Sequence, residues 1–241
     1  MTKQKIKLIM PMAGDGARFK KAGYDFPKPM IPINGVPMFA YAERQIGIDF
    51  DERIFIVRKQ HNLKQTIMNL YPGAIIIEVD KKTAGTACTL MLAKEHFEDG
   101  SSIFISNCDQ HIEWDTTIAQ IIMQQPNVDA LIATFDEPGK DPKWSYAKTD
   151  GSDRVTKVAE KNPISTRATC GWYFWKDGRM FINSVTDMIE ANDRVNNEFY
   201  TCPVFNYTIE RGAKVIAYDV SVMQGLGTPE DLKLWEENNA L

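Results

Sequence analysis

Short runs rich in isoleucine and valine, separated by stretches with helical spacing, constrain this chain more than any other feature. The runs are residues 5–12, 53–57, 74–79, 102–106 and 129–134. They are continuous rather than alternating, which is the pattern of strands buried on both faces of a parallel sheet. Helical spacing occupies residues 37–45, 61–70, 84–97 and 116–125. The result is a β-α-β rhythm over residues 1–135, with right-handed crossovers expected between successive strands. A long loop separates the first run from the helix at 37–45.

Beyond Asp136 the pattern changes. Glu-Pro-Gly and Asp-Pro punctuate a loop, and residues 144–148 and 154–161 alternate like a hairpin around Asp150-Gly151. A strand at 169–175, helices at 178–191 and 199–211, a last strand at 214–219 and a last helix at 229–237 follow. Thr228 is placed to cap that helix. No Ser/Gly-rich or Pro-rich linker divides the 241 residues. The expectation is one domain over 1–241, in which residues 136–241 cover the open ends of a sheet built by residues 1–135.

Charge and cysteine usage narrow the function. Twenty-eight Lys and Arg stand against 32 Asp and Glu, a net charge of −4, so an electrostatic grip on nucleic acid or an anionic membrane is not expected. Any anionic ligand must meet a local basic site. The apolar run at the N-terminus contains Lys7 and breaks at Pro11, so it reads as a strand rather than a signal or a membrane span. Cys88, Cys108, Cys170 and Cys202 are widely spaced, as expected for reduced core thiols in a cytoplasmic protein.

The local basic site lies directly after the first strand. Gly14-Asp15-Gly16 lets backbone N–H groups approach phosphate oxygens. Between Asp15 and Lys28, four cations (Arg18, Lys20, Lys21, Lys28) face two carboxylates (Asp15, Asp25), a local balance of +2 in an acidic chain. Pro27 and Pro29 restrict the backbone on either side of Lys28, so this lysine is held in place. The third glycine of a dinucleotide fingerprint and the GK[ST] of a Walker loop are both absent.

The segment MAGDGARFKKAGYDFPKP resembles the signature of the nucleotidyltransferases that make nucleotide-activated sugars and related compounds: a strand, a G-x-G-x-R loop, then P-K-P. The resemblance extends at lower specificity over residues 6–231. It implies an α/β fold with a mostly parallel central sheet and helices on both faces, Rossmann-like and of the nucleotide-diphospho-sugar transferase type. A nucleotide-binding part at about 1–135 and a smaller β-rich acceptor-binding part at 136–241 are then expected.

The same resemblance implies roles for particular residues. Ala13, Gly14, Asp15, Gly16 and Ala17 would hold the nucleotide with Arg18 on its β and γ phosphates, and Lys28 would neutralise charge near the reacting phosphorus. Gly85-Thr86, opening a helix after a strand, is similar to the base-contacting turn; a plain Gly-Thr helix start reads equally well. Asp109, in Ser-Asn-Cys-Asp at the end of the fourth strand, matches the metal position, and strand carboxyl ends are where open α/β sheets bind ligands. Glu160-Lys161 is similar to an E-K-P element whose lysine holds the acceptor phosphate, with Asn162 intervening before Pro163. Gly171 and Glu198 fall at acceptor-contacting positions, where a strand bulge and a helix N-terminal charge are the competing readings.

Two positions bear on specificity. Relatives that act on hexose 1-phosphates carry a metal-binding Asp two residues before Gly-Thr-Pro, where this chain has Gly225. Mg²⁺ would then rest on Asp109, phosphates and water, or borrow another carboxylate such as Asp219. Asp80 precedes Gly85 by the spacing at which relatives often place a glutamine for base recognition. A carboxylate only accepts hydrogen bonds, which suits the exocyclic amine of cytosine and favours CTP over UTP or dTTP.

The implied reaction joins the NMP of an NTP to a phosphorylated small molecule, a sugar 1-phosphate or a non-sugar phosphate, and releases pyrophosphate. Such an acceptor is already an anion and needs no general base. That accords with only three histidines, His61, His96 and His111, none in a Ser-His-Asp or Cys-His set. Two other readings stay open: a glycosyltransferase that consumes a nucleotide sugar, and a non-catalytic nucleotide-sensing subunit.

Overall fold

The computed structural model describes residues 5–239. The elements in chain order are β1 (Ile6–Met12), α1 (Ala17–Lys21), β2 (Pro32–Ile33), β3 (Val36–Pro37), α2 (Met38–Ile46), β4 (Glu52–Arg58), α3 (Lys64–Leu70), β5 (Ile75–Val79), α4 (Thr86–Met91), β6 (Ser102–Ser106), β7 (Gln110–Glu113) and α5 (Thr116–Gln124). They continue with β8 (Ala130–Asp136), β9 (Ser145–Thr149), β10 (Val155–Glu160), β11 (Arg167–Trp175), α6 (Gly178–Glu190), α7 (Val204–Glu210), β12 (Val215–Asp219), β13 (Val222–Gly225) and α8 (Pro229–Asn239).

The five apolar runs all become strands of one nine-stranded sheet. Its main path runs β5-β4-β1-β6-β11-β8-β12. Neighbours pair in parallel except where β11 meets β6 and β8. The β9–β10 hairpin joins the sheet through a single pairing of Tyr146 with Ala168 on β11. This is the mostly parallel α/β architecture expected, with strands from both halves of the chain in the same sheet.

Period-two alternation assigns the faces. On β1, Ile9 packs with α4, α6 and α7, while Leu8, Met10 and Met12 turn to the face covered by α2, α3 and α5. On β6, Ile103 and Ile105 join the first face and Phe104 the second. Trp175 and Phe205 stack at 4.0 Å between ring centroids, with both side chains buried. Each such burial stabilises the fold by about 1.5–3 kcal/mol.

After β1 the chain crosses to β4 and β5 on one side, then returns to β6 on the other. The carboxyl ends of β1 and β6 therefore flank a point where the winding reverses, the place at which open α/β sheets bind ligands.

Four sequence readings change. The stretch read as one long loop contains α1, a turn of 3₁₀ helix at Lys28–Met30 and the β2–β3 hairpin. The helix expected at 199–211 begins only at Val204, because Pro203 lacks the N–H that a helix interior needs. The helix expected at 84–97 is α4 followed by a tighter turn at Lys94–His96. After the strand read as the last, β13 follows and pairs antiparallel with β7. Each of these two strands has only four residues, too few for a pattern to show. The cap on α8 is as expected, with Asp231 N–H donating to Thr228 Oγ1 at 3.0 Å.

Candidate active site

A cavity of about 630 Å³ opens where β1 and β6 end. One part of its wall is built from the loop after β1, where Gly14, Asp15, Gly16, Ala17 and Arg18 all line the space. Ala13, expected among them, is buried beneath the loop and does not line the cavity. Gly16 has φ of +59°, and a Cβ there would stand 3.1 Å from Lys28 Cβ. A left-handed turn with a neighbour this close favours glycine. Asp15 turns to Arg58 at the end of β4, with Arg58 Nη1 donating to Asp15 Oδ1 at 2.8 Å. This ion pair ties the loop to the neighbouring strand. Arg18, exposed on α1, makes no ion pair among the described residues.

Lys28 sits in the 3₁₀ turn between its two prolines, where Met30 N–H donates to Pro27 O at 2.7 Å. Its Nζ donates to Asp109 Oδ2 at 2.7 Å, with both side chains about three-quarters buried. Burial alone would favour a neutral amine, but the neighbouring carboxylate outweighs it and raises the Lys28 pKa above the ordinary lysine value. Cys108, buried beside them, is pushed up to about 11 by desolvation and is a neutral thiol at physiological pH.

Asp109 follows β6 and precedes β7, and its carbonyl accepts from Leu226 N–H at 2.8 Å. A Cβ at Gly227 would come within 2.7 Å of Asp109 Oδ2, so a side chain there would displace the Asp109 carboxylate. Asn107 and Gln110, on either side of this turn, line the same cavity. Gln110 Oε1 is buried without a hydrogen-bond partner, leaving a hard oxygen beside Asp109 unsatisfied. No group of three or more His, Cys, Asp or Glu is placed to hold a metal among the described residues, which argues against an all-protein cage. One or two carboxylates beside a glycine-containing basic loop nevertheless fit a small hard cation such as Mg²⁺, which keeps waters and takes phosphates as ligands.

Another part of the wall comes from residues far apart in sequence. Lys161, in the left-handed region at φ of +54° just after β10, lines the cavity. Its Nζ donates to Tyr200 Oη at 2.7 Å and lies 4.4 Å from that ring's centroid. Glu198 accepts from Lys82, which holds its carboxyl below the ordinary range. The helix expected to follow Glu198 starts at Val204, so Glu198 stands in a loop and is not a helix N-terminal charge. Glu160 is raised by burial and accepts a short hydrogen bond from Ser145. Gly171 sits at the bulge that interrupts the β11–β8 register, at φ of +81°. A Cβ there would meet Asn107 Nδ2 at 2.3 Å.

Three residues depart from their expected roles. Asp80 has 82% of its side chain exposed, lies 3.9 Å from Lys59 and does not line the cavity, so the geometry supplies no cytosine acceptor there. Gly85 is also outside; a Cβ on it would come within 2.4 Å of Phe199 backbone atoms, so its glycine serves chain packing. Thr86 does line the cavity, accepting from Thr201 Oγ1 at 3.0 Å. Asp219 is bound by Arg167 and Thr134, each at 2.6 Å, and faces a separate crevice. It does not share the cavity with Asp109.

Sequence reasoning missed Lys82, Asn107, Gln110, Lys143, Trp144, Tyr200 and Asp231, all of which line the cavity. Asn107 lies inside the Ser-Asn-Cys-Asp motif without being singled out there; the others belong to no spaced motif, and the folded sheet brings them together. His111, two residues beyond Asp109, pairs with Tyr41 Oη at 2.7 Å and packs beside Trp235. Among the described residues no histidine lines the cavity.

The structure is similar to the nucleoside-diphosphate-sugar pyrophosphorylase from Vibrio cholerae RC9, with a TM-score of 0.82, 24% identity, and coverage of 95% of this chain and 99% of that one. A putative glucose-1-phosphate thymidylyltransferase from Bacillus anthracis follows at TM-score 0.77 and 18% identity, covering 97% and 94% of the two chains. The inositol-1-phosphate CTP transferase of T. maritima follows at 0.76 and 16%, covering 98% and 96%. In sequence, 188 residues are 26% identical to the bifunctional protein GlmU of Methanococcus aeolicus, covering 76% of this chain and 42% of that protein. The chain thus spans less than half the length of that relative. The family described as Nucleotidyl transferase matches residues 7–240, and this chain belongs to it.

Proposed function

We propose that the protein transfers the NMP group of an NTP to a phosphorylated small molecule, a sugar 1-phosphate or a non-sugar phosphate, and releases pyrophosphate. One observation carries this reading. The basic loop after β1, the Lys28–Asp109 pair and Lys161 all line a single cavity at the point where the sheet's winding reverses. A triphosphate and a second phosphate meet cations from two sides there.

In this reading Arg18 and the loop from Gly14 to Ala17 hold the β and γ phosphates. Lys28 stays protonated and balances charge that builds up on the α-phosphorus and the departing pyrophosphate. Lys161, steadied by Tyr200, orients the acceptor phosphate for in-line attack. Asp109 would hold Mg²⁺, which when bound shields and positions the triphosphate oxygens. No side chain needs to remove a proton, in keeping with a cavity that histidines do not line.

CTP is the donor to test first, on the likeness to the T. maritima inositol-1-phosphate CTP transferase. UTP and dTTP are its competitors, since Asp80 stands away from the cavity. We further place the protein in the cytoplasm, in keeping with four free cysteines and with the absence, among the described residues, of a helix long and apolar enough to cross a membrane. Its product would be an activated precursor for surface polysaccharide, on the family resemblance.

The test is a matrix of CTP, UTP, dTTP, ATP and GTP against phosphorylated metabolites, followed by pyrophosphate release. Turnover with one donor–acceptor pair is expected. Consumption of a nucleotide sugar instead would mark a glycosyltransferase, and calorimetric NTP binding without turnover a sensing subunit.

A further inference from the structure

Two carboxylates that line the same cavity lie beside the Gly225–Gly227 segment. A Cβ at Gly227 would lie 2.7 Å from Asp109 Oδ2. A Cβ at Gly225 would lie 3.7 Å from Asp231 Oδ2 and 3.4 Å from Trp144 Cη2. Asp109 and Asp231 thus both reach the same bare strip of backbone in one cavity.

The elements that deliver them are fixed independently. Asp109 is anchored by its carbonyl to Leu226 N–H, and Asp231 by the Thr228 cap of α8. The two oxygens of Asp231 have different surroundings: Oδ1 lies 3.6 Å from Lys143 Nζ, while Oδ2 is the one nearest Gly225. Directly across the β7–β13 ladder from Gly225 stands Gln110. It is only 6% exposed, lines the cavity, and has a buried Oε1 without a partner. An unsatisfied hard oxygen here costs free energy unless a ligand or cation completes it.

We propose that Asp231 is the second carboxylate for the divalent cation that binds with the triphosphate. From the first turn of α8, Asp231 supplies beside Gly225 the carboxylate that a glycine lacks. The proposal rests on the nucleotidyl-transfer reading and extends it. Two protein carboxylates completed by phosphates and water suit a small hard cation. A helix-capping role for Asp231 is the alternative, and it makes no demand on metal affinity.

Mn²⁺ serves as the probe, titrated by electron paramagnetic resonance into protein saturated with CTP, and separately with UTP, dTTP, ATP and GTP. Loss of outer-sphere partners alone weakens metal sites roughly 10–100-fold, so Asp231→Asn should weaken Mn²⁺ by about tenfold or more. Asparagine is also a good residue near a helix start, and thermal melting verifies the fold. Asp231→Glu, which keeps a carboxylate, should recover part of the affinity, and Lys143→Met should leave it intact or tighter. If Asp109→Asn loses Mn²⁺ while Asp231→Asn binds as the parent does, this inference is overturned and the proposed reaction stands. A parent protein that binds no Mn²⁺ with any NTP and releases no pyrophosphate overturns both.

Discussion

Lys28 Nζ donates to Asp109 Oδ2 at 2.7 Å, across 81 residues of sequence. The contact joins the proline-flanked turn beyond α1 to the turn between β6 and β7, and so couples the segment that follows the Gly14–Arg18 loop to the proposed cation site. Because neither side chain is fully exposed, the pair is screened less than a surface ion pair.

Replacing Lys28 by Ala should lower pyrophosphate release about 100–1,000-fold, the scale seen when a donor to developing charge is removed. The 3₁₀ turn is held by proline geometry and backbone bonds, so the fold should persist, with a lower melting temperature from loss of the Lys28–Asp109 pair. Near-normal turnover of Lys28→Ala would refute the role given to this lysine.

Gly16→Ala combines backbone strain at φ of +59° with a contact 3.1 Å from Lys28 Cβ. Strain of this kind costs about 1–2 kcal/mol. A lower melting temperature is expected together with a raised KM for the nucleotide, because relief of the contact displaces Lys28. A nucleotide KM equal to the parent's would mean that the loop does not touch the triphosphate.

Gly171→Ala places a methyl 2.3 Å from Asn107 Nδ2 and 2.8 Å from Gln110 Nε2, at φ of +81°. Asn107 and Gln110 must shift, and both line the cavity. The KM for the phosphorylated acceptor should rise more than that for the nucleotide, alongside a loss of stability of about 1–3 kcal/mol. Steady-state kinetics with each substrate varied in turn separates the two effects.

Tyr200→Phe removes the hydroxyl that accepts from Lys161 and leaves the ring beneath the ammonium. One hydrogen bond is worth about 0.5–1.5 kcal/mol, so kcat/KM for the acceptor should fall by a factor of about 2–12. Lys161→Ala should cost more. If the two variants are equal, Tyr200 has a direct role in binding the acceptor.

Glu198 has a folded-state pKa below the ordinary 4.5, chiefly through the hydrogen bond from Lys82. Between that folded value and 4.5 the unfolded chain binds more protons, so stability rises with pH there. The contribution is complete above 4.5 and disappears as pH falls through the folded value. Melting temperatures of Glu198→Gln should therefore fall below those of the parent at neutral pH and converge with them in acid. A gap between the two that stays constant with pH would remove the Lys82–Glu198 pair as its cause.

Much of the scaffold could be read from residue order. The run at 102–106 coincides with β6, and the other four runs match their strands to within two residues. Burial on both faces leaves a continuous apolar stretch whatever its neighbours are. The loop from Gly14 to Arg18 and the P-K-P turn were legible for a similar reason. They lie within about fifteen residues of each other, and glycine and proline act on the backbone locally.

What residue order left open depends on which loops the sheet sets side by side. Asp80 and Asp219 have suitable chemistry at strand ends, yet one faces outward beside Lys59 and the other is held by Arg167 and Thr134. Lys82 with Glu198, Lys161 with Tyr200, and Asp231 beside Gly225 join segments separated by between 6 and 116 residues. The sequence by itself determined the long buried strands and the charged loop, because backbone sterics and hydrophobic periodicity act over a few residues. Only the tertiary structure decided which side chains share the cavity, because their directions follow from strand order, register and packing across the whole sheet.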